Sequence, residues 1–335
     1  MKPSQLSSAR RRAGVAAVAA LAGVVIAGCG QVANTIHPAP YNANQVTVAL
    51  AGPPNAFYAG LYEAQAKGYF KQSAIDLHIV TPSTSQDALT MVHDGKALIG
   101  MASQPSVLLH RNQDQPLVSV AALVQGPLPA ITIVAPKTSP SGPPGTTTTG
   151  TGTTTTRTAA APHAGTSTAT TPTTTTTTPA TTTTSPAATT TTASEPDAAS
   201  WPPSLQQLLA QPGAPTYNGL NVVVRKATIV DHPGLVRRFV QTVARGYRAA
   251  RADPQQAIDS LVAAVPSLKP DKALEMNTLD AAIPYFFPAG GKVWGWQHES
   301  AWNSFGEWLH THNLIQNPNA IVAASTNELL QGQGV

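Results

Sequence analysis

The chain has one cysteine, Cys29, in 335 residues. A lone thiol excludes an intrachain disulfide and a thiolate metal cluster, so the folded parts must be held by their core. Charge is also scarce, at 11% Asp, Glu, Lys and Arg, and aromatics make up 5%. Four of the 20 basic residues (Lys2, Arg10, Arg11 and Arg12) precede Cys29 and no acid does, which leaves 16 basic against 16 acidic groups after it. The formal +4 therefore belongs to the N-terminus. Nothing beyond Cys29 asks for nucleic acid or a polyanionic surface. A long apolar run is missing too. Residues 15–26 are apolar but fall short of the about 20 residues a spanning helix needs.

What is there begins with a targeting pattern. Three consecutive arginines precede the apolar run, which ends in Ile26-Ala27-Gly28-Cys29. Small residues before a single Cys are what a lipoprotein signal peptidase reads, so residues 1–28 are expected to be a signal peptide and Cys29 the lipidated N-terminus. The Arg run leaves the general secretory and twin-arginine routes both open. Residues 29–43 read as a tether. The chain is thus expected to be exported and held by lipid on the outer face of the cell membrane.

Residues 139–195 are about half Thr, with Pro and Ala between. Such a segment cannot bury enough apolar surface to offset chain entropy. Residues 137–200 are therefore expected to be a disordered tract without regular structure, open to O-glycosylation, and His163 within it is not a site. About 215 residues remain outside signal and tract, enough for one or two modest domains.

The block 44–136 alternates strand and helix patterns, which predicts a parallel α/β lobe. Strands are expected at 46–51 (VTVALA), 77–80, 97–102 and 117–124, with a further extended run at 131–135. Helices are expected after Asn55 and Ser103 as N-caps and over 86–93, with Gly68 and Gly95 as stops. In the block 201–335, residues 205–210 read as a short helix and 221–225 (NVVVR) as a strand. Asp231 is expected to cap a helix carrying Val236, Val240, Val243 and Tyr247 on one face. Asp253 should cap the next, with Ala257, Ile258, Leu261 and Val265 inward. A last helix over 300–312 carries Trp302, Phe305 and Leu309.

These segments resemble a known family. Pro54-Asn55, Ala59-Gly60-Leu61-Tyr62 and Ala66-Lys67-Gly68-Tyr69-Phe70 are similar to the opening of the solute-binding proteins for sulfonates, nitrate and thiamine-pyrimidine precursors. Asp94-Gly95-Lys96-Ala97, Pro215-Thr216-Tyr217-Asn218, His232-Pro233 to Arg238-Phe239, and Asp253-Pro254 to Ala257 follow the family's order and spacing. The resemblance implies a type II periplasmic-binding-protein-like α/β fold, two lobes closing on a small organic solute, and delivery to the permease and ATPase subunits of an ABC importer. It implies a monomer without a cofactor. Two departures stand out. Gly52 and Tyr58 occupy positions where the family's pyrimidine binders and synthases carry Trp and His. The family's middle portion is not found, so the second lobe is expected to be truncated, interrupted by the Thr-rich tract and reduced to a remnant in 201–335, whose C-terminal helices complete the first lobe.

In an open parallel sheet the ligand site lies at the carboxyl ends of the strands. That selects Asn55 and Tyr58 after the first strand, Ser103 and Gln104 after the third, and Gln125 after the fourth. Asn55 and Ser103 sit at helix N-termini, where free N–H groups favour an anion or polar acceptor. Trp294-Gly295-Trp296 is a further candidate stacking platform, ranked behind lobe packing or a permease-facing patch. Without the family's His, and without a second Cys, an enzyme is not expected. Glu307, His310 and His312 read as a solvated helix end rather than metal ligands. The alternative to a solute-binding lipoprotein of sulfonate, nitrate-like or pyrimidine-precursor specificity is a divergent envelope lipoprotein with a degraded site.

Overall fold

The computed structural model describes residues 44–82, 88–135, 190–290 and 293–332. Cys29, the signal segment, the tether and most of the Thr-rich tract lie outside them. In chain order the described elements begin β1 (Gln45–Ala49), α1 (Ala59–Ala66), α2 (Tyr69–Gln72), β2 (Asp76–Val80), α3 (Ala88–His93) and β3 (Ile99–Ala102). Next come α4 (Gln104–Asn112), β4 (Leu117–Val124), β5 (Thr132–Val134) and β6 (Thr190–Thr192). Then follow α5 (Pro203–Leu209), β7 (Leu220–Arg225), α6 (Lys226–Asp231), α7 (Pro233–Ala252), α8 (Pro254–Ala264), α9 (Lys272–Phe286) and α10 (Glu299–Thr311).

The architecture is mixed α/β. One sheet has the order β2-β1-β3-β7-β4, and β5 and β6 form a separate two-stranded ribbon. β1 pairs in parallel with β2 and β3, with Gln45 opposite Asp76 and Val48 opposite Ile99. β7 returns antiparallel between β3 and β4, with Ile99 opposite Val224 and Leu117 opposite Arg225. The first four strands therefore point the same way, as expected, while the returning strand runs against them.

Side-chain alternation explains why both faces are covered. Val222 and Val224 join the core under α1, α7, α8 and α9, while Val223 joins the one under α3, α4 and α10. All eight residues of β4 are buried. Its outer edge is closed by the C-terminal segment, where the Ser119 amide donates to Ala324 O and the Thr326 amide to Ser119 O, both at 2.9 Å. Arg111 fixes that segment by donating to the carbonyls of Ala320, Asn319 and Val322.

Most expected elements stand within a few residues of their predicted bounds. Val236, Val240, Val243 and Tyr247 are all buried along α7. Asp253 caps α8, accepting from the Gln256 amide at 3.0 Å. Three expectations need correction. Asp231 is the last residue of α6, and His232 occupies the N-cap position of α7 without its side chain capping the helix, because residues 226–231 form a helical turn of their own. Helix α9 is missing from the sequence reading; Pro284 near its end breaks the helical signal. Finally, Thr190–Thr192, inside the tract expected to lack regular structure, pairs with Thr132–Val134 as β6. Thr is a good strand residue once a partner strand satisfies its backbone.

Candidate functional site

The chain after β6 does not leave the body. Residues 195–201 lie against the carboxyl ends of β1 and β3. A Cβ at Gly52, just past β1, would come within 2.8 Å of Pro196 Cβ, so only glycine admits this approach. The Leu128 amide donates to Glu195 Oε1 at 2.8 Å and the Ser103 amide to Asp197 Oδ2 at 2.8 Å. Trp201 Nε1 donates to Ser106 Oγ at 2.6 Å.

Beside this segment, over the ends of β3, β7 and β4, is a cavity of about 260 Å³. Three chain segments build its polar wall. Gln125 follows β4, with its amide tied to Tyr285 O at 3.0 Å. Gln104 opens α4, and Thr216 to Asn218 lead into β7. Gln104 is locked to that lead-in: its amide donates to Asn218 O at 2.9 Å, and its Oε1 accepts from the Asn218 amide at 3.0 Å. Its Nε2 is buried and has no hydrogen-bond partner, which leaves a donor at the cavity wall. A buried amide donor left unpaired costs about 1–3 kcal/mol, and a ligand acceptor would recover it. Tyr217 and Trp296 supply aromatic surface, and His298 completes the rim. Among the described residues no Asp, Glu, Lys or Arg lines the cavity.

The expected site residues divide between three places. Gln104 and Gln125 meet in the cavity, together with Trp296. Ser103 is buried as the cap of α4, its Oγ accepting from the Ser106 amide at 3.3 Å, and its own amide is engaged by Asp197. Asn55 and Tyr58 do not line the cavity. Asn55 caps a single 3-10 turn, accepting from the Phe57 amide at 3.0 Å, and Glu275 Oε2 takes the Ala56 amide at 2.6 Å. Tyr58 is fully buried in the core, because that turn folds its ring back under the sheet end. Trp294 likewise packs inward, 5.2 Å from the Tyr247 ring. Tyr217, Asn218 and His298 were not singled out as ligand contacts. Tyr217 and Asn218 belong to a motif of the resemblance, and their nearness to the third strand's end follows only once β7 is placed beside β3.

Glu195 and Asp197 are the groups that sequence reasoning had least chance of finding. Burial pushes both carboxyls up, Glu195 well above the ordinary range, and the charge of Asp197 raises Glu195 further. Tyr217 is pushed up by burial and by Glu195, and Tyr58 by burial and by Asp197. Both acids thus keep their protons to higher pH in the folded chain than in the unfolded one. As pH rises past about 4.5 the unfolded chain sheds protons first, and stability falls until the folded groups ionise. Buried Glu275 is shifted the same way. Asp259 opposes it, but it is fully exposed beside Lys272 and its pull is screened. The melting temperature is therefore expected to be higher at pH 5 than at pH 8, with Glu195→Gln flattening the difference. A melting temperature that drops on acidification would contradict this assignment.

Comparison with known proteins follows the same outline. A family model described as "NMT1/THI5 like" matches residues 55–157 and 166–257. The formylaminopyrimidine-binding protein of Halalkalibacterium halodurans is 37% identical over 90 residues, 27% of each chain. A 4-amino-5-hydroxymethyl-2-methylpyrimidine phosphate synthase of Saccharomyces cerevisiae is 27% identical over 90 residues, 27% of this chain and 26% of that one. The chain thus spans about a quarter of the length of these curated relatives. Among solved structures, the ligand-binding component of an ABC-type import system from Staphylococcus aureus, with zinc bound, aligns over 87% of this chain and 99% of its own, at 12% identity and a TM-score of 0.48. The family model takes in the turn after β1, β3, β4, β7, α7 and the first turn of α8, more than half of the sequence, and the chain belongs to the NMT1/THI5-like family.

Proposed function

We propose that this protein is the solute-binding component of an ABC importer and that it captures a small, uncharged, planar heterocycle of the aminopyrimidine class. One observation carries the reading. The cavity at the carboxyl ends of the strands is bounded by the Tyr217 and Trp296 rings and by side-chain amides, with the Gln104 Nε2 donor unpaired and no Asp, Glu, Lys or Arg among its described lining residues. A volume of about 260 Å³ suits a single ring. Amide donors and acceptors read the edge of such a ring and an aromatic side chain stacks on its face. A sulfonate or nitrate would find no Lys or Arg among the described lining residues. Family membership and the formylaminopyrimidine-binding relative favour the same class.

In this reading the protein performs no turnover. It is exported, anchored through a lipid on Cys29, and passes its solute as a monomer to permease and ATPase subunits. The β5–β6 ribbon and α5 are what remains of a second lobe, and in the sequence the Thr-rich tract stands in place of the family's middle portion. Loss of membrane association in the Cys29→Ser chain tests the anchor.

The reading is tested by thermal shift against a panel of formylaminopyrimidines, aminopyrimidines, alkanesulfonates and nitrate. A pyrimidine at one hundred times its dissociation constant is expected to stabilise the protein by about 2.7 kcal/mol. Sulfonates and nitrate are expected to leave it unmoved. An oxyanion response without a pyrimidine response would sink the proposal.

A further inference from the structure

Helix α7 carries five arginines and no acidic residue in its 20 positions. At the pitch of an α-helix Arg237, Arg238, Arg245, Arg248 and Arg251 fall within an arc of about 140° on one face. Arg245 and Arg251 lie over the Tyr69 and Phe287 rings, 3.6 and 4.2 Å from their centres, and Arg237 donates to Glu328 O. Arg248 donates to the neutral Gln331 Oε1 at 3.2 Å. Burial, and then the like charge of Arg251, pull its guanidinium below the ordinary range. Among the described residues no carboxylate pairs with Arg248 or Arg251.

Arg248 lines a second cavity, of about 130 Å³, where α7 meets residues 293–294 and 330–331. It shares no lining residue with the cavity between Gln104 and Trp296. Val240, Val293 and Leu330 give it an apolar wall, and among the described residues no Asp or Glu lines it. The Trp294 indole is part of the wall as well. Trp294 is 8% exposed, and its Nε1 is buried without a hydrogen-bond partner. Packing against the Tyr247 ring, at 5.2 Å, holds the indole in place. A buried donor without an acceptor is destabilising, and an acceptor brought in by a ligand recovers the loss.

We propose that this cavity is a second ligand site, built for a monocarboxylate with a short aliphatic tail, whose head is held by the Arg248 guanidinium and the Trp294 N–H. The planar guanidinium matches a carboxylate with two parallel N–H donors, and such charged bonds are about twice as strong as neutral ones. The arginine arc adds a field that draws an anion to this face. The tail rests on Val240, Val293 and Leu330. A phosphate or sulfate would leave that wall unused, and a hydrocarbon would leave both donors unpaired. The volume is half that of the first cavity, which suits a single ring, so the tail is a few carbons long. The inference goes beyond the proposed function and does not depend on it.

The test uses the full chain and sodium butyrate as the probe, followed by ligand-observed saturation-transfer NMR at an ionic strength fixed with sodium chloride. 1-Butanol, which has the tail without the charge, is the comparison ligand. Butyrate is expected to bind the wild type saturably, and butanol at least tenfold more weakly. Arg248→Gln removes the cation at an exposed position and is expected to weaken butyrate at least tenfold. Arg238→Gln removes a charge from the same helix outside the cavity lining and is expected to leave the affinity unchanged. Trp294→Phe keeps a ring and deletes the N–H, and is expected to weaken butyrate severalfold; if that variant does not fold, the two arginine variants decide alone. A folded wild type without saturable binding, equal losses in Arg248→Gln and Arg238→Gln, or butanol binding as tightly as butyrate would each overturn the proposal. Arg248→Gln is expected to bind pyrimidines as the wild type does, so failure at either cavity leaves the reading of the other standing.

Discussion

Gly246→Ala is expected to lower the melting temperature by roughly 10 °C. Helices α1 and α7 cross with their backbones in contact, and two glycines make this possible. A Cβ at Gly246 would fall 2.0 Å from Gly60 O and 2.6 Å from Ala64 Cβ. From the other side, a Cβ at Gly60 would fall 2.4 Å from the Tyr247 ring. A backbone oxygen cannot swing aside as a side chain can, so the added methyl must separate the helices. Overpacking of this kind costs about 3 kcal/mol, and a domain of this size loses about 2–4 °C per kcal/mol. The damage would spread to the site's foundations. Tyr247 donates to Phe57 O at 2.6 Å and packs edge-on to Phe286 at 4.9 Å, which ties α7 to the turn after β1 and to α9. Gly234→Ala provides the contrast. Its Cβ would meet only the Arg238 guanidinium at 3.7 Å, and relief of the glycine's helix penalty should stabilise α7 by about 0.5 kcal/mol. Thermal denaturation of the two variants decides the matter; equal melting temperatures would contradict the close crossing.

The second large effect is on ligand affinity. Trp296→Ala is expected to weaken pyrimidine binding by about ten- to a hundredfold while leaving the fold in place. Trp296 is half-buried at the cavity wall, so truncation removes stacking surface without opening the core. Stacking of a base on an aromatic ring is worth about 1–3 kcal/mol. Trp308→Ala is the control. That ring stacks 5.7 Å from Phe305 and 4.6 Å from His312, outside the cavity lining, and its loss should not change affinity. Dissociation constants for wild type and both variants, read by fluorescence titration, separate the two sites. An unchanged constant for Trp296→Ala would place the ligand elsewhere.

Much of this architecture is legible in the sequence because the strands are short apolar runs with clear stops. β4 occupies the predicted 117–124, and Gly68 and Gly95 both take positive φ where a stop was expected. Gln104 and Gln125 are selected by one rule, that ligands sit past the carboxyl ends of parallel strands, and both line the cavity. The same rule selected Asn55 and Tyr58, which a capped turn folds into structural roles. A linear pattern shows which residues follow a strand but not which way the next turn points them. The direction of β7 was equally hidden, since NVVVR reads the same in either sense, and with it the place of Tyr217 and Asn218. Glu195 and Asp197 were hidden for another reason. They follow a Thr-rich run whose composition argues against order, and only the pairing of Thr190–Thr192 with β5 and the amides of Leu128 and Ser103 draw them in.

The central claim is that an uncharged pyrimidine binds in the cavity between Gln104 and Trp296. Isothermal titration of the full chain with a formylaminopyrimidine tests it most directly. The account requires saturable one-site heat in the wild type, weakened at least tenfold by Trp296→Ala. A correctly folded wild type that gives no saturable heat, or a titration curve that Trp296→Ala leaves unchanged, would contradict it.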